Sequence, residues 1–222
     1  MRTLATYLLA ALLLAGCAAQ QAPPPPAAAP LDTGAAWYQQ AAKAGQAIYK
    51  IDTAQSLITI TVRRGGTLAR LGHDHVVASR TLAGFVAPDA GRADFHFRLD
   101  AMTVDEPALR SAASLDTQPS EDAIAGTRNN MLTRVLEADS YPVVLLHVER
   151  IDAGNVRLVV TLHGVTRSFV APVMIVRGAH ALTASGQLRL LQTDFGITPM
   201  SVLGGAMTVQ DAMELAFTIV AK

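Results

Sequence analysis

The chain has 222 residues, half of them hydrophobic, and its 18 basic and 18 acidic side chains leave no formal net charge. That balance argues against a broad electrostatic footprint for nucleic acid. A single cysteine cannot close an internal disulfide, so an exported domain made from this chain must be held together by its core.

Met1 and Arg2 form a short basic start, followed by an apolar run from Leu8 to Leu14 that is too short for an ordinary transmembrane helix. Residues 1–16 therefore read as a signal peptide. The run ends in Leu14-Ala15-Gly16-Cys17, which resembles a bacterial lipobox: small residues fit the signal peptidase pocket and the Cys17 thiol accepts a diacylglycerol. The alternative is a plain secretory signal with an incidental Cys17. Acyl chains anchor by burying methylenes at roughly 0.8 kcal/mol each, so a lipidated Cys17 would hold the protein on a membrane without crossing it. The expected location is the cell envelope, facing the periplasm. Ala18 stands where lipoproteins retained at the inner membrane often carry Asp, which favours the outer membrane.

Residues 17–48 read as the lipidated cysteine, a tether and a short helix. Ala18 to Ala29 is Ala, Gln and Pro, including Pro23 to Pro26, and favours a stiff polyproline spacer. A helix is expected over Trp37 to Gln46, started by Asp32 or Thr33, weakened by Gly45 and packed loosely on the domain through Trp37.

From Tyr49 onward, residues 49–222, the hydrophobic period becomes two, the mark of half-buried strands. Eight stretches qualify: "LITITVR", "TLAGFVA", "ADFHFRLD", "VVLLHVERI", "NVRLVVTLH", "SFVAPVMIV", "ALTASGQLRLL" and "MELAFTIVA". Turn residues punctuate them. Between Pro107 and Arg134 the pattern breaks, and "SEDAIAGTRNNML" carries a serine N-cap followed by acids, as a helix would. The fold class is all-β, an antiparallel barrel or a sandwich with one or two short helices. A barrel of eight strands encloses room for a ligand, whereas a sandwich fills its centre. Periodicity does not choose between them. Small residues expected to face inward (Ala83, Gly84, Ala171, Ala184, Ser185 and Gly186) suggest spare volume, and equally suit bends and bulges.

Four stretches together resemble the YceI-like family of lipocalin-like, polyisoprenoid-binding proteins. They are "YKIDTAQS" (49–56), "MLTRVLEADSYP" (131–142), "VVTLHGVTR" (159–167) and "SGQLRLLQTDFGI" (185–197). Gln55 stands where a histidine is frequent, and Val135 and Leu136 replace an expected aromatic character. The resemblance spans Tyr49 to Lys222 and implies an eight-stranded lipocalin-like barrel whose apolar lumen takes up a long isoprenoid, of quinone or polyprenyl type. It implies no reaction and no required cofactor.

The stretch "RLGHDHVVASR" places His73 and His75 on one face of an extended segment, with Asp74 on the other. One reading is a metal site through His73 and His75, which needs a third ligand from His163, His180, Asp194 or Asp139. A second puts both imidazoles at the barrel mouth, against a quinone carbonyl or a lipid head group. A third is a polar hairpin end. His163 in "LHGVTR" is either a turn histidine or a ligand neighbour, and Arg167 either meets an anionic head group or is solvated. His96 shares a face with Asp94, Arg98 and Asp100, which reads as the solvent side; no function follows for His147. Phe95, Phe97, Leu99, Val160, Leu162 and Phe217 should face the interior and line the ligand site.

No nucleophile elbow, H-E-x-x-H or phosphate loop is present. The leading expectation is a membrane-tethered, non-enzymatic carrier of an isoprenoid lipid. The alternatives are a histidine-dependent metalloprotein and a structural or stress-related envelope protein. A homodimer stays open.

Overall fold

The computed structural model describes residues 33–222; the expected signal peptide, Cys17 and the proline-rich tether lie outside the described residues. The first described element is the helix α1 (Ala35–Lys43), begun by Gly34 in a left-handed conformation. It starts two residues earlier than the sequence reading and ends three residues earlier, at Lys43, just before Gly45.

The strands follow in order: β1 (Tyr49–Lys50), β2 (Leu57–Gly65), β3 (His75–Ser79), β4 (Ala83–Ala87), β5 (Arg92–Arg98), β6 (Thr103–Val104), β7 (Val143–Arg150), β8 (Asn155–Leu162), β9 (Val165–Pro172), β10 (Met174–Arg177), β11 (Leu182–Leu191), β12 (Ser201–Val202) and β13 (Met207–Ala221). Between β6 and β7 lie the helices α2 (Pro107–Ala112) and α3 (Glu121–Asn130), the latter running on into a π-helical turn at Met131–Val135. Pro107 sits in the first turn of α2, where its missing N–H is no loss. Ser120 caps α3 by accepting from the Ala123 N–H at 3.3 Å, as its sequence pattern predicts.

All strand pairs are antiparallel and form two sheets, β1-β4-β5-β7-β8-β9 and β10-β11-β13-β2-β3-β6, with β12 also on β13. They meet at β1, which pairs with β4 while Lys50 and Lys222 exchange backbone hydrogen bonds at 2.9 and 3.0 Å. Away from that seam, the chain crosses from one sheet to the other at Pro172-Val173, between β9 and β10. Proline cannot donate to a ladder, which is why the stretch read as one strand, "SFVAPVMIV", is two. Close by, β9 comes up against β11: a Cβ added at Gly186 would lie 2.6 Å from the Pro172 carbonyl oxygen. No ladder joins these strands, so the two sheets wrap a common interior without closing into one hydrogen-bonded cylinder.

All eight expected strand regions are present; the two-residue strands β1, β6 and β12 are added, and so is β3. Its residues Val76, Val77, Ala78 and Ser79 are all buried, so period-two alternation is absent from it. Of the small residues expected to face inward, Ala171 and Ala184 line the interior, and Gly84 and Gly186 share the inward row of their partners Phe95 and Phe217. Ala83 and Ser185 do not: their partners His96 and Thr218 put them on the outer faces.

The core gathers the inward rows of both sheets, among them Ile58, Val86, Phe95, Phe97, Val144, Leu158, Val160, Phe195 and Ile219. Met131, Leu132, Val135 and Leu136 after α3 pack against it from one end.

Candidate functional site: an apolar lumen with two polar ends

Strand alternation delivers side chains from both sheets into one interior, and they do not fill it. One cavity of about 350 Å³ lies toward the 88–91, 151–154 and 178–181 turns, lined by Phe95, Ala171, Ala184 and Phe217 among others. A second, of about 270 Å³, lies toward α3, lined by Phe97, Leu99, Val160 and Leu162. Ile58, Leu146, Leu158 and Leu215 line both, so they form the partition between two lobes of one lumen. Together the lobes fall within the ~300–1,000 Å³ common for ligand sites. All six apolar residues singled out from the sequence line one lobe or the other.

The lobes differ in their polar residues. In the α3 lobe these are His75, Thr127, Asn130 and Gln192. His75 is anchored from behind: its Nδ1 lies 2.6 Å from Asp105 Oδ2. Asp105, with a fully buried side chain, also accepts from the Val76 N–H at 3.0 Å and from Arg110 Nη1 at 2.6 Å. Burial pushes its carboxyl upward, but His75, Val76 and Arg110 together hold it below its ordinary value. A carboxylate in that state is acceptor-only, so His75 donates to it through the Nδ1–H and Nε2 is the nitrogen turned away from Asp105. Arg110, 1 % exposed, continues the chain of bonds to the Asp74 and Thr117 carbonyls.

His73 behaves differently. Its ring packs edge-on to His75 at 6.1 Å, its Nδ1 is buried without a partner among the described residues, and it lines neither lobe. Asp74 faces away and binds the Arg64 N–H at 2.8 Å and Arg63 Nη1 at 3.3 Å, tying the segment to β2. Among the described residues no three of His, Cys, Asp or Glu are grouped as metal ligands, so the third donor that a site on His73 and His75 requires is not supplied by His163, His180, Asp194 or Asp139.

His163 and Gly164 form the β8–β9 turn, both in left-handed backbone, with the His163 ring 4.6 Å from Tyr141 and outside both lobes. Arg167 is exposed on the edge strand β9 and donates to the Thr166 carbonyl. Neither reaches the lumen.

The outer face of β5 corrects the sequence reading. Asp94, expected on the solvent side, is buried beneath α1, where it accepts from Tyr38 Oη at 2.8 Å and Arg92 Nε at 2.7 Å and meets His147 Nδ1 at 2.6 Å. Burial raises its carboxyl, and Arg92, His147 and Tyr38 outweigh that and lower it. Burial and Asp94 together raise the Tyr38 hydroxyl. Arg92 also lies over the Trp37 ring at 4.5 Å. Tyr38, 2 % exposed, is thus the principal anchor of α1, and the helix is fastened rather than loosely packed. Beside this cluster, burial lowers the His96 imidazole.

Two antiparallel sheets around a divided apolar lumen, capped at one end by a helix, define a lipocalin-like fold. The YceI-like domain model matches residues 49–221, and the chain belongs to that family. Two solved structures share the fold. One is a polyisoprenoid binding domain from Saccharophagus degradans implicated in plant cell wall breakdown, at 13 % identity and TM-score 0.55, covering 78 % of this chain and 97 % of that one. The other is Burkholderia cenocepacia BcnA, at 13 % identity and TM-score 0.56, covering 78 % and 99 %. A comparison with curated protein sequences returned no match.

Proposed function

We propose that this protein is a non-enzymatic carrier that holds an isoprenoid-tailed lipid, of quinone or polyprenyl type, in the lumen between its two sheets. The observation that carries this reading is the lumen itself: two unfilled lobes in one apolar interior, partitioned only by Ile58 and three leucines. Burying an apolar tail there is favourable by about 25 cal/mol per Å² and requires no reaction chemistry. The polyisoprenoid binding described for the Saccharophagus degradans domain supports the same class of ligand. His75, backed by Asp105, is the polar contact for a neutral head group in the α3 lobe. The sequence before the described residues supports an envelope lipoprotein, attached through Cys17 to a membrane that faces the periplasm.

The reading is tested by stripping lipid from the purified protein and titrating back a quinone and a polyprenol. Saturable rebinding of at least one is expected. Failure of both would overturn the proposal.

A further inference from the structure

Two loops beyond the α3 lobe present leucine to solvent. The hairpin of β12 and β13 turns through Leu203, Gly204, Gly205 and Ala206, and the first three have left-handed backbone, with φ of 53°, 63° and 92°. Glycine adopts that conformation freely, whereas a bulky residue is strained in it. Leu203 nevertheless occupies the position and is 68 % exposed. Beside it runs the 66–72 loop after β2, which carries Leu71, 61 % exposed. The two loops are joined: the Leu68 N–H donates to the Ala206 carbonyl at 2.8 Å, and a Cβ added at Gly66 would lie 2.5 Å from the same oxygen. They form one tip, on which Leu71, Val202 and Leu203 are all exposed.

The tip stands at an end of the lumen. Val62, which leads into the first loop, and Met200 and Val209, which flank the second, line the α3 lobe. Segments 66–72 and 200–206 contain no acid. Their single base, Arg70, is exposed and has no carboxylate within ion-pair distance among the described residues. The turn end differs. Its lobe is lined by Arg92, Arg150 and Arg177, but its turns expose Asp89 and Asp152, the latter directly after the exposed Ile151. Carboxylates resist burial and gain nothing from an anionic surface, so that end is the poorer match to a membrane.

We propose that the tip docks on a phospholipid bilayer, with Leu71, Val202 and Leu203 among the acyl chains and Arg70 against lipid phosphates, so that the α3 end of the lumen faces the membrane. The proposal rests on the envelope-lipoprotein reading, which makes a bilayer the nearest extended surface. The 15 residues from Ala18 to Asp32 span at most about 45 Å as a polyproline spacer. The 15-residue strand β13 measures about 50 Å at ordinary strand rise, so such a tether is comparable with the domain and lets its tip return to the membrane. Exposed apolar surface and backbone strain each carry a free-energy cost, and insertion of the leucines into acyl chains offsets both.

The test uses the full acylated chain on vesicles of phosphatidylcholine with and without phosphatidylglycerol. A polarity-sensitive fluorophore is placed on Thr67→Cys in the tip or on His180→Cys at the turn end, both exposed positions. With Cys17 acylated, the introduced thiol is the only free one. The tip label should shift to the blue and be quenched by nitroxides on the acyl chains, and the turn-end label should do neither. Leu71→Ser combined with Leu203→Gly should abolish the shift, and Leu203→Gly alone should not lower the melting temperature, because it relieves the left-handed strain. Arg70→Gln should weaken docking on phosphatidylglycerol about fivefold and leave that on phosphatidylcholine unchanged. A tip label that stays in water on vesicle-bound protein, a shift equal at both ends, or one that survives the leucine substitutions would overturn the docking surface alone. A shift that needs no vesicles and grows with protein concentration would place a second copy on the tip and overturn it too. A chain that does not float with vesicles would overturn the anchored reading with it.

Discussion

Single residues hold this molecule at two buried carboxylates that few features of the sequence reveal. The spacing of His73 and His75 is visible at once in the sequence. The partner that gives His75 its role, Asp105, lies thirty residues on. Nothing local marks it, because the contact exists only once β3 and β6 pair. Asp94 is similar: alternation assigns it to the outer face correctly, but alternation carries no sign that a helix covers that face. Replacing Arg110 by Ala would leave Asp105 buried and uncompensated, and should cost about 3–5 kcal/mol in urea unfolding. Both carboxyls are held below their ordinary 3.8 in the folded protein. Their contribution to stability is therefore complete above that value and drains away as the pH falls below it, through the lower folded values. Urea midpoints measured from pH 7 to pH 3 should drop in that lower window, and Asp94→Asn should flatten part of the drop; a wild-type midpoint unmoved at pH 3 would contradict the assignment.

At the scale of elements, regular alternation makes the eight strand regions legible, and the S-E-D start makes α3 legible. Where alternation fails, a physical reason can be given. β3 is buried along nearly its whole length, and the chain at Pro172 changes sheet in the middle of an unbroken apolar run. The fastening of α1 belongs to this scale as well. Removing one donor with Tyr38→Phe should weaken its attachment by about 1.5–3 kcal/mol, because the lost bond is to a charged acceptor. Faster amide exchange in residues 35–43, with the strands unchanged, is the expected signature. Gly186 sets the approach of β9 to β11, and Gly186→Val should force these edges apart and lower the melting temperature, since the added carbon meets a backbone oxygen and the Phe217 ring.

For the whole molecule, the sequence gives the inward-facing residues but not whether they fill the space they enclose. Phe95, Phe97, Leu99, Val160, Leu162 and Phe217 would form a solid sandwich core or a lumen wall with the same periodicity. The difference lies in how far apart two sheets are held, by the seam at β1, the contact at Gly186 and the cap after α3. Because the lobes meet at Leu146 and Leu158, Leu146→Trp should block passage between them and shorten the longest tail the protein retains, with little effect on folding. The central claim, that the lumen holds an isoprenoid-tailed lipid, is tested most directly by native mass spectrometry with lipid extraction on protein purified from a bacterial envelope. The account predicts a bound species of defined mass that fragments as an isoprenoid and is shortened or lost in Leu146→Trp; protein that is empty in the same preparation, or that carries an identical lipid in wild type and variant, would contradict it.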